Sequence, residues 1–565
     1  MHAPAAATAP TPPSRSVPAR PRAATPAVRS PFTQWACVAA LLVTTTLAFS
    51  PAFDASLLSW DDQSYISANE LVRSPAGLTA IWNPVSTSLD QYYPLLFTSY
   101  WVEYRLWGAD AKGYHVTNLV LHLVNVVLVV LLLQQLGAPP WAAVGAAAVF
   151  ALHPTEVASV VWVAEQKNTL SGCFYLIAFL LYLRHRRTGS WAAYAGCLAA
   201  FLAALLSKTQ TVTLPVSLLL AEWLLQAKAQ MRKLGVREIG MRLAPMVAIG
   251  LLALVVTTIV EQHKVDVAWF RLPTATERVF IVANAPWFYA AKFLLPINLA
   301  PIYPRWSISA VDPVWWIGVI AWPVAIAALV RWRQRIGAFA LWGIAHFWIA
   351  LTPVLGFISY GYQQHTFVAD HYLYLANIGG GLALAVYADR LAGNAQWTSR
   401  RSVATALGTI LIALYAVQSF REAHHWHDTP TFWRRVIERN SSSFAAYYSL
   451  AEYSRNSRNW AEALPLYRRA AEIRADSPGA FNGYADALRK TQGDAAAIAA
   501  CTAKLEQDPS FLAAYLQRAR SYEALSKRQE ALTDYGRVLS LAPAGSEAWK
   551  VAEQRRNRLQ SGASN

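Results

Sequence analysis

The sequence predicts an all-α membrane protein, in which a bundle of membrane-spanning helices is followed by a short solenoid of helical repeats. Hydrophobic residues make up 55% of the 565-residue chain and charged residues only 15%, below the roughly 25% of an ordinary soluble domain. Apolar runs fill the chain to about residue 420, and a polar, periodic segment follows. A bilayer explains the first region, and repeat packing explains the second.

The apolar runs predict about eleven membrane crossings, because each run is close to the length that spans a hydrocarbon core of about 30 Å. They begin near Trp35, His115, Trp141, Thr169, Trp191, Thr211, Leu243, Val314, Gly337, Tyr372 and Val403. A further run, residues 279–296, is interrupted by Asn284, Pro286 and Lys292. We expect it to be re-entrant or interfacial, since this keeps the later basic loops in the cytoplasm. Those basic loops account for the formal charge of +16, so nucleic acid binding is not expected.

Composition also divides the chain into regions. Residues 1–34 are rich in Ala and Pro, carry Arg and contain no acid, which predicts a disordered cytoplasmic tail. Residues 35–420 form the predicted membrane domain, with a long outer loop at 54–113. Its first apolar run lacks a convincing small-residue cleavage site and is interpreted as a retained helix. The four cysteines are scattered, so neither a disulfide framework nor a metal-ligand spacing is present.

Residues 421–560 show a repeat period. Ala-rich segments recur near Phe444, Ala480 and Ala513, and Pro478, Pro509 and Pro543 close the units. The spacing is close to the 34 residues of a tetratricopeptide repeat. About three such repeats form a groove that usually binds protein, and the alternative is a cap that only stabilises the chain. On the predicted topology this tail lies on the same face as the outer loops.

Several ionisable residues of the outer loops suggest chemistry at the membrane surface. Asp61 and Asp62 are adjacent carboxylates, and their repulsion raises one pKa, which suits a general base or a cation site. The alternative is a solvated start of the loop. Lys208 ends a crossing, where it would either neutralise a phosphate or extend its ammonium group to the membrane surface.

Further polar residues accompany these. His115, Asn118, His122 and Asn125 form a stripe on one predicted helix, which should face a cavity or a partner helix. Other loops of the same face contain His153, Glu165, Lys167, Asp370, His371, Tyr92 and Tyr93. The sequence has no Walker loop, Rossmann glycine pattern, zinc triad or nucleophile elbow, which argues against a soluble nucleotide or a redox cofactor.

Taken in order, these motifs carry a resemblance to a known family. They are Asp61-Asp62, Gly-Tyr-His-Val-Thr-Asn at 113–118, Ala-Leu-His-Pro at 151–154 with Trp162 and Lys167, Ser-Lys at 207–208, Thr-Leu-Pro at 213–215, Thr-Pro-Val-Leu-Gly at 352–356 and Ala-Asp-His-Tyr at 369–372. The chain resembles the bacterial and eukaryotic proteins that join a membrane domain to tetratricopeptide repeats, within the protein O-mannosyltransferase branch of the GT-C glycosyltransferases.

The resemblance implies inverting transfer of a sugar from a polyprenyl-phosphate donor to a Ser or Thr of an exported protein held by the repeats. The Ala-rich and Arg-rich composition and the short loops favour the periplasmic face of a bacterial inner membrane over a eukaryotic endoplasmic reticulum. The resemblance assigns Asp61 as general base with Asp62 as its partner. Residues implied to bind the donor phosphate are Lys208, His153, Lys167 and His371. Those implied to bind acceptor or sugar are Tyr92, Tyr93, His115, Asn118, Glu165 and Asp370. No metal ligand or cofactor is assigned, and a divalent cation stays open.

The chain departs from the family pattern where members often have Glu at Ala158, a basic residue at Gln166, an acid at Asn168 and Arg at His371. Because His loses its charge near neutrality and Arg does not, a contributing His371 predicts activity that falls from about pH 6 to 8. Two alternatives stay open: transfer of a whole oligosaccharide from a lipid pyrophosphate, for instance to a pilin, and an inactive scaffold whose repeats recruit envelope proteins. Transport is disfavoured, since the ionisable residues lie at one face rather than at mid-membrane.

Overall fold

The computed structural model describes residues 31–84, 91–262, 271–358, 361–393 and 398–561, and these form helices with no strand among them. The predicted all-α fold is confirmed. Most of the predicted N-terminal tail, residues 1–30, lies outside the described residues. The first helix begins at Pro31 rather than at residue 35, so residues 31–34 belong to it.

The membrane domain contains the helices α1 to α16. They are α1 Pro31–Ala48, α2 Glu70–Arg73, α3 Gly77–Ile81, α4 Pro94–Trp107, α5 Ala111–Gln135, α6 Pro140–Leu152, α7 Val157–Val161, α8 Gln166–Thr188, α9 Trp191–Ser207, α10 Leu214–Ala227, α11 Val236–Gln262, α12 Ala275–Leu294, α13 Val314–Ile336, α14 Ala338–Leu351, α15 Ala376–Gly393 and α16 Thr398–His424. The described part of the long outer loop is therefore partly helical. Pro94 stands at the first turn of α4, where a missing N–H costs nothing.

Among the described residues, four helices are long and apolar enough to cross a membrane: Ala111–Gln135, Val236–Val260, Val314–Ile336 and Ser402–His424. The pair Pro140–Leu152 and Pro154–Val161, bent by 50°, would add one broken span. The chain is thus a multi-pass membrane protein. The count of about eleven crossings stays a prediction, because several apolar helices are shorter than the roughly 20 residues of a straight crossing.

The run at residues 279–296 lies in the continuous helix α12 as far as Leu294, so no re-entrant turn interrupts it, and its predicted interfacial position stays a prediction. Thr274 and Glu277 start α12 with reciprocal side-chain to backbone hydrogen bonds. Asn284, which interrupts the hydropathy pattern, donates to the carbonyl oxygen of Trp315 at 2.8 Å. A polar residue that suggested a break therefore joins α12 to the start of α13.

Eight helices form the tail: α17 Thr429–Arg439, α18 Phe444–Asn456, α19 Trp460–Ile473, α20 Pro478–Gln492, α21 Asp494–Gln507, α22 Leu512–Ala524, α23 Arg528–Leu541 and α24 Glu547–Ser561. The helices α18 to α23 make three pairs, and Pro478, Pro509 and Pro543 lie where each pair ends. Alanines allow the helices to approach closely, as where Ala451, Ala463 and Ala487 surround the buried Tyr467. The predicted repeats are confirmed.

Two glycines let α14 and α15 pack closely together. A side chain at Gly343 of α14 would collide with the carbonyl oxygen of Gly379 of α15, and one at Gly379 would collide with that of Gly343. Small residues at such crossings let two backbones pack directly in a bilayer, where dispersion contacts hold helices together.

We expect Gly379→Ala to destabilise the protein by about 1 to 3 kcal/mol, because the added methyl group forces α14 and α15 apart. Gly408→Ala in α16 is the matched control, since a methyl group there meets no atom within 4 Å. Thermal unfolding in detergent should show a lower midpoint for Gly379→Ala and an unchanged or slightly raised one for the control. Equal midpoints would show that the glycine contact is not needed.

Candidate active site at the membrane surface

The centre of the candidate site is a buried carboxylate shared by two lysines. Glu165 Oε1 lies 2.8 Å from Lys167 Nζ, and Oε2 lies 3.2 Å from Lys208 Nζ. Asn168 donates to Glu165 Oε2 at 2.7 Å and accepts from Lys208 Nζ at 2.6 Å. His371 Nε2 is 3.8 Å from Glu165 Oε1. Glu165 is 1% exposed and both lysines are 6% exposed, so water contributes little to holding these charges.

Three breaks between helices bring these groups together. Glu165 directly precedes α8, where its negative charge suits the positive end of the helix dipole. Lys208 has extended backbone at the end of α9, before the chain turns into α10. His371 lies in a short helical turn before α15. The break in each apolar run is thus what positions an ionisable side chain.

Neighbouring side chains keep Glu165 ionised. Burial alone would raise its pKa, but His371, Lys167 and Lys208 lower the pKa below its ordinary value. Burial lowers the pKa of His371 to about 3 against the opposing effect of Glu165, so the ring is neutral at physiological pH and the two lysines supply the positive charge. Burial also lowers the pKa of Lys208 to about 8, against the opposing effect of Glu165. The expected fall in activity through His371 is therefore not supported, because this ring has no charge to lose between about pH 6 and 8.

Asp61 and Asp62 occupy different environments. Asp62 is 1% exposed, and its two oxygens accept the backbone N–H groups of Leu58 at 2.9 Å and Ala164 at 2.8 Å. Burial raises the pKa of Asp62 to about 7. Asp62 therefore fastens the outer loop to the segment just before Glu165, and its role as partner of a base is not supported. Asp61 is half-buried in the same turn.

Two buried tyrosines connect Asp61 with the Glu165 cluster. Burial raises the pKa of both Tyr65 and Tyr100 well above the ordinary value. Asp61 and Glu165 add to this effect at Tyr65, whereas Glu103 and Asp62 are the main carboxylates that add to it at Tyr100. Lys167 Nζ lies 5.5 Å from the centre of the Tyr65 ring, within cation–π range. The Tyr100 hydroxyl donates to the carbonyl oxygen of Val163 at 2.8 Å. Tyr65 thus lies beside Lys167 and within electrostatic range of Asp61.

The polar stripe of α5 has a structural role. Asn118 donates to the carbonyl oxygens of Ser159 and Val160 at 3.0 and 2.8 Å. His122 bonds to the Ala151 carbonyl and the Tyr374 hydroxyl, and Asn125 donates to the Thr169 carbonyl and the same hydroxyl. Asn118 thus satisfies two carbonyl oxygens of α7, and the other two side chains join α5 to its neighbours. His115 and Asn118 are 2% and 0% exposed, which argues against their predicted contact with acceptor or sugar.

Four other predicted residues lie around the cluster rather than in it. Both ring nitrogens of His153 have partners, Thr155 Oγ1 at 2.7 Å and the Phe293 carbonyl at 2.9 Å, so its role in phosphate binding is not supported. Asp370 accepts from the Tyr303 hydroxyl at 2.8 Å. Tyr93 is buried, and the half-buried Tyr92 donates to the Trp82 carbonyl at 3.2 Å. Within the described residues, no group of three His, Cys, Asp or Glu side chains could hold a metal ion.

Glu103 is a buried acid that the sequence interpretation did not select. Its Oε1 accepts from Gln166 at 2.6 Å and from Ser99 at 2.7 Å, and burial raises its pKa to about 7. Glu103 and Ser99 are four residues apart in α4, which places them on one helix face. That spacing was the available signal, but the aromatic residues around it are typical of a membrane interface and obscured it.

We expect Glu103 to make the stability of the protein depend on pH. Its native pKa lies above the ordinary value of 4.5, so the folded state holds a proton that the unfolded chain releases, and stability falls as pH rises toward about 7. Between pH 5 and 8, the free energy of unfolding of Glu103→Gln should therefore decrease by roughly 1 to 3 kcal/mol less than that of the native protein. Glu530→Gln, at an exposed position of α23, is the control. Parallel stability curves for native protein and Glu103→Gln would contradict this account.

Comparisons with known proteins show what this chain is similar to. No family model matches the chain. The protein O-mannosyl-transferase Tmtc2 of Drosophila melanogaster is 27% identical over 239 residues, which is 41% of this chain and 26% of that protein. Protein O-mannosyl-transferase F38B6.6 of Caenorhabditis elegans is 25% identical over 395 residues, 65% of this chain and 52% of that protein. The chain thus matches less than two thirds of either relative.

A crystal structure of the Archaeoglobus fulgidus oligosaccharyltransferase aligns with 77% of this chain and 59% of its own, at 12% identity and a TM-score of 0.41. That score does not establish a shared fold. These sequence matches confirm the resemblance of the chain to the protein O-mannosyl-transferases named Tmtc.

Proposed function

We propose that this chain is a membrane glycosyltransferase that moves a sugar from a polyprenyl-phosphate donor to Ser or Thr hydroxyls of exported proteins. The observation that carries the proposal is the pair of buried ammonium groups on one carboxylate. Lys167 and Lys208 contribute +2 and Glu165 −1, so these three side chains carry a formal charge of +1. A lipid phosphate that entered beside them would gain charge-assisted hydrogen bonds in a site where water is scarce.

In the proposed reaction, the Asp61 carboxylate takes the proton from the acceptor hydroxyl. At the same time, the oxygen of that hydroxyl attacks the anomeric carbon of the sugar. The bond from that carbon to the phosphate oxygen breaks, and the electron pair leaves with the lipid phosphate. The configuration at carbon inverts. Lys208 and Lys167 stabilise the charge that develops on the phosphate, which is the kind of interaction that contributes most to transfer reactions of this type.

His371 would act in this scheme as a neutral group. Arg at that position would add a permanent charge, whereas a neutral imidazole adds one hydrogen bond without changing the charge balance. Asn168, at a position where the resemblance implies an acid, already bridges Glu165 and Lys208. An acid there would cancel the formal charge of the three side chains, so the amide supports their affinity for an anion.

Hydrogen bonds join the tail to the outer loop that carries Asp61. The backbone N–H of Ser56 in the outer loop donates to the carbonyl of His427 at 2.8 Å, and that of Ser59 donates to Thr429 Oγ1 at 2.9 Å. We propose that loop and repeats both face the periplasm of a bacterial cell, with the basic loops in the cytoplasm. The repeats would then hold the exported acceptor close to Asp61.

The test is the intact mass of envelope proteins from cells that carry native protein, Asp61→Asn, Asp54→Asn or no copy. Asp54 is an exposed acid of the same loop and is the matched control. We expect a mass increment that Asp54→Asn retains and that the deletion and Asp61→Asn lose, because removing a general base slows transfer about 100- to 10,000-fold.

Each other outcome has a defined meaning. An increment of one hexose supports the proposed donor, whereas a much larger increment favours transfer of a whole oligosaccharide. An increment that survives in Asp61→Asn would remove Asp61 as the base. Unchanged masses in the deletion strain would contradict glycosyl transfer and favour a scaffold.

A further inference from the structure

The first helix of the tail touches the loop that carries Asp61. We call α17, Thr429–Arg439, the junction helix. Thr429 Oγ1 accepts the backbone N–H of Ser59 at 2.9 Å, and Thr429 is 5% exposed. Ser59 precedes Asp61 by two residues, so this hydrogen bond fixes the backbone immediately before the candidate base.

An aromatic cluster continues this contact. Trp60 stacks on Trp162 with ring centres 4.9 Å apart and planes 16° apart. On its other sides it meets Trp433 and Phe432 of the junction helix at 5.3 and 5.8 Å. Phe432 and Trp433 are 0% and 1% exposed. Because Trp60 is the neighbour of Asp61, and Trp162 lies three residues before Glu165, one cluster joins both parts of the site to the tail.

The junction helix is also continuous with the repeats. Phe432, Trp433 and Val436 belong to the same hydrophobic core as Ala446 and Leu450 of α18 and the membrane helices. Close packing of this kind transmits small displacements, since interiors have few voids to absorb them. The first repeat is thus packed against the membrane domain and not suspended from a linker.

We propose that the junction helix positions the Asp61 loop for the reaction, so that the tail forms one wall of the site. This inference rests on the proposed function. General-base catalysis requires the carboxylate within hydrogen-bond reach of the acceptor hydroxyl, and a displacement of about 1 Å costs on the order of 100-fold in rate. A groove fixed to this wall would also hold the acceptor at a constant distance from Asp61. Thr429, Phe432 and Trp433 are positioning residues in this account.

The test compares Thr429→Val with Thr429→Ser in the full-length purified protein. Valine has nearly the shape of threonine but cannot accept the Ser59 N–H, whereas serine can. The assay measures transfer from polyprenyl-phosphate mannose to a Ser/Thr-containing peptide, with kcat expressed per donor-binding site so that unfolded protein is not counted. We expect kcat of Thr429→Val to fall at least about tenfold, with donor KM within about twofold of native.

Thr429→Ser should restore most of kcat, and Thr533→Val, at an exposed threonine of α23, should leave it unchanged. Trp433→Phe keeps an aromatic ring but makes it smaller, and it should lower kcat as Thr429→Val does. If Thr429→Val does not fold, Trp433→Phe tests whether the junction helix positions the Asp61 loop. A native kcat in these junction variants, with activity lost in Asp61→Asn, would overturn the inference alone. Activity that is absent from native protein or unaffected by Asp61→Asn would overturn the proposed function and the inference with it.

Discussion

The arrangement at the membrane surface depends on the ionisation of Glu165. A buried carboxylate without partners would cost several kcal/mol and would take up a proton. Lys167 and Lys208 prevent this, and in turn the two buried lysines need the carboxylate. Asn168 completes the hydrogen bonding between Glu165 and Lys208. These groups come from the start of α8 and the end of α9. A shift of one helix relative to the other would therefore leave a buried charge without its partner.

The second constraint is that helix breaks must satisfy their backbone groups without water. The carbonyl oxygens of Ser159 and Val160 in α7 accept hydrogen bonds from Asn118 of α5. The Asp62 carboxylate in turn accepts the backbone N–H groups of Leu58 and Ala164. These side chains hold the irregular segments in place, and the ionisable residues of the candidate site are carried on the same segments. Irregular backbone at this depth thus serves both packing and chemistry.

Much of this organisation could be predicted from sequence, for identifiable reasons. The repeats were predicted because their period and their prolines at 478, 509 and 543 are local features. The resemblance grouped Lys167, Lys208 and His371, but it added His153, which has other partners, and it assigned Glu165 to acceptor or sugar binding. What could not be predicted was the direction and burial of each side chain. Asn118, His153 and Asp62 have the chemistry of ligands, but their partners lie 41, 140 and 102 residues away in the chain. Hydropathy likewise could not tell a break in α12 from an asparagine that bonds to the next helix.

The most direct test of a phosphate site at the two lysines is thermal unfolding with polyprenyl phosphate or with the neutral polyprenol of the same length. Native protein, Lys208→Met and Lys233→Met, an exposed lysine of a basic loop, would be compared. We expect the phosphate to stabilise native protein and Lys233→Met by about 2.7 kcal/mol at 100 times its Kd, and polyprenol to stabilise both less. Lys208→Met should lose the difference between the two lipids. Equal stabilisation of native protein by both lipids, or a difference that survives in Lys208→Met, would contradict a phosphate site beside Glu165.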